Sequence, residues 1–155
     1  MISRKLTEFL DENHVSYQTI PHDPSYTAQE LAAYTHIPGR EVAKAVVVSV
    51  DGKPAMAVVP SPSKVDLRRI RDVTGAKEAN LLTESEFAGR FSGCELGAMP
   101  PFGNLYGMDT LVDEKLTWDS EIVFNAGSHT EAVKMAYDDF ERCVQPKIAR
   151  LTLDH

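Results

Sequence analysis

Three short stretches of the chain carry residue types that could do chemistry. Lys44 sits near the start of an apolar run, Val42-Ala-Lys-Ala-Val-Val-Val48, and with two-residue side-chain alternation it shares a strand face with Val46 and Val48. A lysine so placed is partly desolvated, which suits its ammonium to a phosphate or a developing oxyanion. A stem snorkelling to water is the ordinary alternative. The second stretch is Gly97-Ala98-Met99-Pro100-Pro101-Phe102-Gly103. Proline fixes φ and lacks an N–H, and glycine admits close approach, so this backbone either presents carbonyls and amides in set directions to a small polar ligand or makes a plain rigid turn. In the third, Asn125-Ala-Gly127-Ser128-His129, a small-residue turn leads to an imidazole able to orient a ligand or exchange a proton. A lone loop histidine is commonly polar surface and no more.

Other chemistries are excluded by spacing. Ser128 adjoins His129, but neighbours tend to point apart and the chain has no Gly-x-Ser-x-Gly elbow, so a serine-hydrolase triad is not expected. No second His, Cys or carboxylate stands at metal-ligand spacing from His129, and neither a metal nor a cofactor is expected. Lys64, Arg68 and Arg71 recur at i, i+4 and i+7 beside Arg69, which on a helix makes one basic stripe fit to hold a phosphate backbone. Asp66 and Asp72 lie among them, and a solvated, balanced helix face is the plainer reading.

These candidates need elements to position them. Leu6, Phe9 and Leu10 predict a first helix, and Tyr17 to Ile20 a strand closed by Pro21. Thr27-Ala-Gln-Glu30 has capping-box spacing and predicts a helix from Ala28 to about Thr35, stopped by Pro38-Gly39. Val42–Val50 and Pro54–Val59 flank Asp51-Gly52 and predict a hairpin. Ser63–Val73 reads as a helix with Ser63 and Asp66 as capping partners, and Thr83-Glu-Ser-Glu86 as the start of a short helix. Gly97–Gly107 is a shaped loop, because its glycines and paired prolines forbid a regular helix or central strand. Met108–Val112, Ile122–Asn125 and Ala132–Met135 are strand candidates, and Asp138–Val144 is a last helix. The expectation is an α+β fold, residues 1–155 forming a single domain with a mixed, curved β-sheet flanked by helices around a pocket.

Composition narrows the partners. Lys plus Arg number 16 against 23 Asp plus Glu, a net charge of −7, which excludes bulk electrostatic coating of DNA and requires any nucleic acid to find a local basic patch. No apolar run approaches the roughly 18 residues of a membrane span. The first nine residues mix charge into their apolar positions and lack a signal-peptide core, and two distant cysteines suit a reducing cytoplasm as structural thiols.

Taken in order, Thr27-Ala-Gln-Glu-Leu-Ala, Val42-Ala-Lys44-Ala-Val-Val-Val, Gly97-Ala-Met-Pro-Pro101-Phe-Gly and Asn125-Ala-Gly-Ser-His129 resemble the YbaK and prolyl-tRNA synthetase editing-domain family, over about Tyr17 to Val144. The resemblance implies an aminoacyl-tRNA deacylase acting in trans on a tRNA mischarged with a small, alanine-like amino acid. It implies that Lys44 contacts the 3′-terminal phosphate or ester and that His129 orients the terminal adenosine or assists a water. It further implies that Thr27, Ala45, Gly97, Ala98, Met99, Pro100, Pro101, Phe102, Gly127 and Ser128 bind the aminoacyl group. Ala45 offers no polar contact to a substrate side chain, so Met99, Pro100 and Phe102 are expected to shape the pocket. Lys64, Arg68 and Arg71 are the expected acceptor-stem contacts, and a synthetase is a possible further partner. The competing reading is a non-catalytic module that binds tRNA or a synthetase and regulates charging; a small-molecule esterase ranks last.

Overall fold

Helices and strands interleave in the computed structural model, which describes residues 3–24, 28–91, 93–95 and 97–153. Helix α1 (Arg4–Glu12) begins where the Ser3 hydroxyl accepts the Leu6 N–H, and Leu6 and Leu10, one turn apart, are fully buried. Strand β1 (Tyr17–Pro21) runs one residue past the expected end, since Pro21 still pairs with Glu131, and helix α2 (Ala28–Thr35) follows within its predicted bounds. Thr27, the expected cap and candidate contact, lies outside the described residues.

Strands β2 (Ala43–Val50) and β3 (Lys53–Pro60) make the hairpin, with Asp51 at φ 49° and Gly52 at φ 83° as a tight primed turn requires. Helix α3 (Leu67–Thr74) starts later than expected. Asp66, expected as a partner of Ser63, is itself the N-cap: its carboxylate accepts the Arg68 and Arg69 N–H groups, while Val65 bridges to Thr152. Lys64 is therefore off the helix and the three residues do not form one helical stripe; Arg68 and Arg71 remain on α3, exposed.

Beyond it lie β4 (Ala79–Leu81), α4 (Glu84–Phe87) with its predicted capping box, β5 (Asp109–Asp113), β6 (Glu121–Ser128), β7 (Glu131–Ala136), α5 (Tyr137–Val144) and β8 (Lys147–Ala149). The strands divide between two sheets. One is antiparallel, in the order β1-β7-β6; the other is mixed, in the order β4-β2-β3-β5-β8, with β3-β5 and β5-β8 parallel. A parallel bridge from Val42 to Val123 joins them.

Alternation along the mixed sheet sorts its side chains. Ala43, Val47, Met56, Val58 and Val112 join the main core around Phe102, whose ring lies 5.5 Å from Phe124 and 5.2 Å from Phe140. Val48, Ala57, Val59 and Leu111 point the other way, under Ile70 of α3. A third small cluster sets Leu31 of α2 over Val42, Val123 and Ala132.

Candidate functional site

The Gly97 loop and the end of β6 are tied together by backbone. Gly127 donates its N–H to the Ala98 carbonyl at 2.7 Å, and Glu95 donates its N–H to the Gly127 carbonyl at 2.9 Å. The expected turn after Asn125 is displaced: β6 continues to Ser128 through an irregularity between Asn125 and Ser128, and the chain reverses at His129-Thr130. Gly127 occupies that irregularity at φ 95°. A Cβ there would lie 2.8 Å from Ser3 Cβ and 3.2 Å from Ser3 N, so only glycine lets the N-terminal segment cross.

This tie brings Gly97 to His129. A Cβ on Gly97 would meet His129 Cε1 at 3.4 Å and Glu84 Oε1 at 3.8 Å, and Gly97 itself is exposed at φ 84°. Glu95 Oε2 accepts the His129 backbone N–H at 3.0 Å and stands 3.9 Å from its Nε2. The Gly97 N–H points at the Met99 sulfur, 3.2 Å away, a weak acceptor. Beneath the junction Cys94 Sγ meets the Tyr106 hydroxyl at 3.2 Å. Burial, reinforced by that thiol, pushes the Tyr106 hydroxyl well above its usual range, so it stays a neutral O–H.

Several expected contacts are engaged elsewhere. Phe102 is wholly buried at the centre of the main core, which removes it from any substrate pocket. Ala98, Met99, Pro100 and Pro101 are buried as well, so the loop's backbone near Gly97, and not its apolar side chains, faces outward. Of the residues expected to shape a pocket, Phe102 is withdrawn into the core, whereas Met99 keeps its sulfur at the Gly97 N–H. Ser128 is buried with its hydroxyl 2.9 Å from Thr130 Oγ1, and it accepts the Thr130 N–H at 3.1 Å, holding the turn. Ala45 packs against the main core, on the opposite face of β2 from Lys44.

Lys44 is half-buried, and its Nζ donates to the Ser61 carbonyl at 3.1 Å. The Val42–Val123 bridge sets the register there. Two residues on along each strand stand Lys44 and Asn125, on the faces of β2 and β6 that carry Val42 and Val123. Asn125 is 9% exposed and its Oδ1 has no hydrogen-bond partner among the described residues. An acceptor so placed calls for a donor. In the sequence Asn125 stands out only as the first letter of a motif; alternation along β6 is the signal that could have found it. No three His, Cys, Asp or Glu side chains come together to hold a metal among the described residues.

The class of protein this fold defines is an α+β domain of one antiparallel and one mixed sheet, with its candidate site at the junction of a glycine-proline loop and the end of β6. A family model of the aminoacyl-tRNA editing domain matches residues 22–143, and the chain belongs to that family. It is a deacylase that hydrolyses the aminoacyl-tRNA ester. The chain is 24% identical over 143 residues to the prolyl-tRNA editing protein ProX of Acetoanaerobium sticklandii, covering 88% of this chain and 86% of that one. Among solved structures, hypothetical protein APE2540 superimposes with a TM-score of 0.86 at 16% identity, over 96% of this chain and 99% of that one. A candidate trans-editing enzyme for prolyl tRNA synthetase superimposes with a TM-score of 0.82 at 18% identity, over 97% and 96%. At such identities the likeness is one of fold. No helix among the described residues is long and apolar enough to cross a membrane.

Proposed function

We propose that residues 1–155 act as one editing domain, a trans-acting deacylase for a tRNA that carries the wrong small amino acid, alanine or one close to it. The supporting observation is the junction itself: a glycine N–H aimed at a thioether, beside an imidazole, at the mouth of a loop. An aminoacyl ester is already activated. Holding it against a positioned water and stabilising the oxyanion is sufficient chemistry: the water oxygen bonds the ester carbon, the bond to the ribose oxygen breaks, and the water's proton passes through His129 or solvent to that departing oxygen. The products are the free amino acid and the tRNA 3′ end.

In this reading the Gly97 N–H exchanges the Met99 sulfur for the developing oxyanion, a far better acceptor. Lys44 attracts the terminal phosphate or the ester oxygen, and the buried Asn125 Oδ1 accepts from the α-amino group of the substrate. A likeness to a prolyl-tRNA editing protein favours a tRNA that a proline site has mischarged. Such a site rejects a smaller side chain by only about 1–3 kcal/mol per methylene, which leaves work for a second sieve. The working place is the cytoplasm, a synthetase is the expected docking partner, and DNA is disfavoured by the net charge of −7.

The deciding experiment follows deacylation of alanyl-, seryl-, cysteinyl- and threonyl-tRNA by the wild type and by Lys44→Ala. Release from one or two of them is expected, alanyl-tRNA first, with loss of roughly a hundredfold or more in kcat/KM for the variant, about 2.7 kcal/mol of transition-state stabilisation. An unchanged rate for Lys44→Ala would remove the lysine from the site. No release from any of the four, with tRNA still bound, would favour the regulatory module.

A further inference from the structure

A second surface adjoins Lys44. Three segments distant in sequence converge on it: the 3₁₀ turn Gly39–Glu41, the Pro60–Ser63 exit of β3, and the 3₁₀ turn Glu114–Trp118. The last is anchored by Asp113, fully buried, whose carboxylate accepts the Lys115 and Leu151 N–H groups. Between the segments lies a groove of about 500 Å³ lined by Arg40, Pro62, Lys115 and Trp118 among others, within the roughly 300–1,000 Å³ of small-ligand sites.

Trp118 is the sole tryptophan of the chain and is 73% exposed, an unusual placement for the largest apolar side chain. Its neighbours in the groove do not extend it into a broad apolar patch of the kind a protein partner buries; they are two cations, two carboxylates, two serines and two prolines. Arg40 is largely exposed, with Glu41 at 3.9 Å, and the Lys115 ammonium lies 3.5 Å from Ser63 Oγ. Glu41 and Asp119 also line the groove and balance the two cations in formal charge, so phosphates are held only where Arg40 and Lys115 themselves reach them, which suits a short single strand and not a long duplex. An exposed indole flanked by an arginine and a lysine is the arrangement that single-stranded nucleic acid uses, base on ring and phosphate on cation.

The groove leads to the candidate site. Ser61 lies between two of its lining residues, Pro60 and Pro62. Its carbonyl accepts from Lys44 Nζ and its hydroxyl donates to the Gly39 carbonyl at 2.9 Å, next to Arg40. One residue thus connects the groove floor to the lysine.

We infer that this groove receives the unpaired 3′ end of the tRNA, with a base stacked on Trp118 and its phosphates on Arg40 and Lys115, so that the terminal ester arrives at Lys44. The inference rests on the deacylase reading above, and the two fail separately. Because Trp118 is the only tryptophan, its fluorescence reports this surface alone. The full chain is titrated at low salt with an acceptor-stem minihelix bearing the four unpaired 3′ nucleotides, and with the same minihelix cut back to a blunt end. Quenching by the first and not by the second is expected. Trp118→Ala is expected to raise the KM for aminoacyl-tRNA by roughly ten- to a hundredfold at constant kcat, and Trp118→Phe to restore it to within about threefold. Equal quenching by both RNAs, no quenching by either, or quenching only by a synthetase would overturn the inference, even where deacylation is intact. Selective quenching without deacylation of any charged tRNA would uphold this surface and tell against the deacylase reading alone.

Discussion

The Gly97–His129 junction and the basic segment from Lys64 to Arg71 both stand out by side-chain spacing, yet the structure assembles only the first. Backbone governs the junction: two hydrogen bonds through Gly127 and a crossing by Ser3 that excludes a Cβ. None of that depends on guessing an element's period. The basic segment depends on helical periodicity from Lys64 onward, and once Asp66 takes the N-cap the first residue of the pattern lies outside the helix. Where spacing expresses backbone geometry it is robust; where it presumes an element boundary, an error at the cap undoes it.

The sharpest way to disturb the first region is Gly127→Ala. The new Cβ meets Ser3 at 2.8 Å, and φ 95° is foreign to alanine. Backbone strain of about 1–3 kcal/mol and overpacking of a similar size together predict a loss of about 2–5 kcal/mol. At this chain length that lowers Tm by roughly 5–20 °C. Gly89, with open space around a built Cβ and an ordinary φ, is the control, and Gly89→Ala should leave Tm nearly unchanged. Equal melting of the two variants would mean the Ser3 crossing yields freely and the junction is not rigid.

Asn125 separates a site residue from a structural one by the sign of two measurements. Its Oδ1 has no partner among the described residues, so truncating it breaks no hydrogen bond at that oxygen. Asn125→Ala should therefore hold Tm within a few degrees while deacylation falls at least about tenfold, or 1.4 kcal/mol. The opposite pattern, a clear drop in Tm with full specific activity, would make the amide a packing group.

How much of the molecule is legible in its sequence follows from the range of each interaction. The hairpin is, since Asp51-Gly52 carries its positive φ angles locally, and so is the Thr83–Glu86 capping box. Strands β4 and β8 are not: each has three residues, and β8 exists only through its pairing with β5. The split of the strands into two sheets depends on pairing partners, which alternation does not reveal. At the site, the meeting of Gly97 with His129 follows from the ordered motifs, whereas burial removes Phe102 from it, because an aromatic beside two prolines reads the same whether it lines a pocket or fills a core. The Trp118 groove draws on residues 40, 60–63 and 115–118, which only the tertiary fold unites.

The smallest expected effect belongs to the basic segment, and it tests whether that region is one surface or two. Arg68 and Arg71 share the exposed side of α3, while Lys64 lies on the extended chain whose carbonyl accepts the Leu153 N–H. Replacing Arg68 and Arg71 together by Gln should raise the KM for charged tRNA only about two- to fivefold at low salt, and should flatten the salt dependence by about one unit of slope for each phosphate no longer neutralised. Lys64→Gln should then add to it without coupling, since residues that do not share a partner contribute independently. A strongly coupled triple variant would restore the continuous stripe that periodicity suggests, and would place the acceptor stem along it. An unchanged KM and salt slope would leave stem binding to other cations, with Arg40 and Lys115 of the Trp118 groove the first to examine.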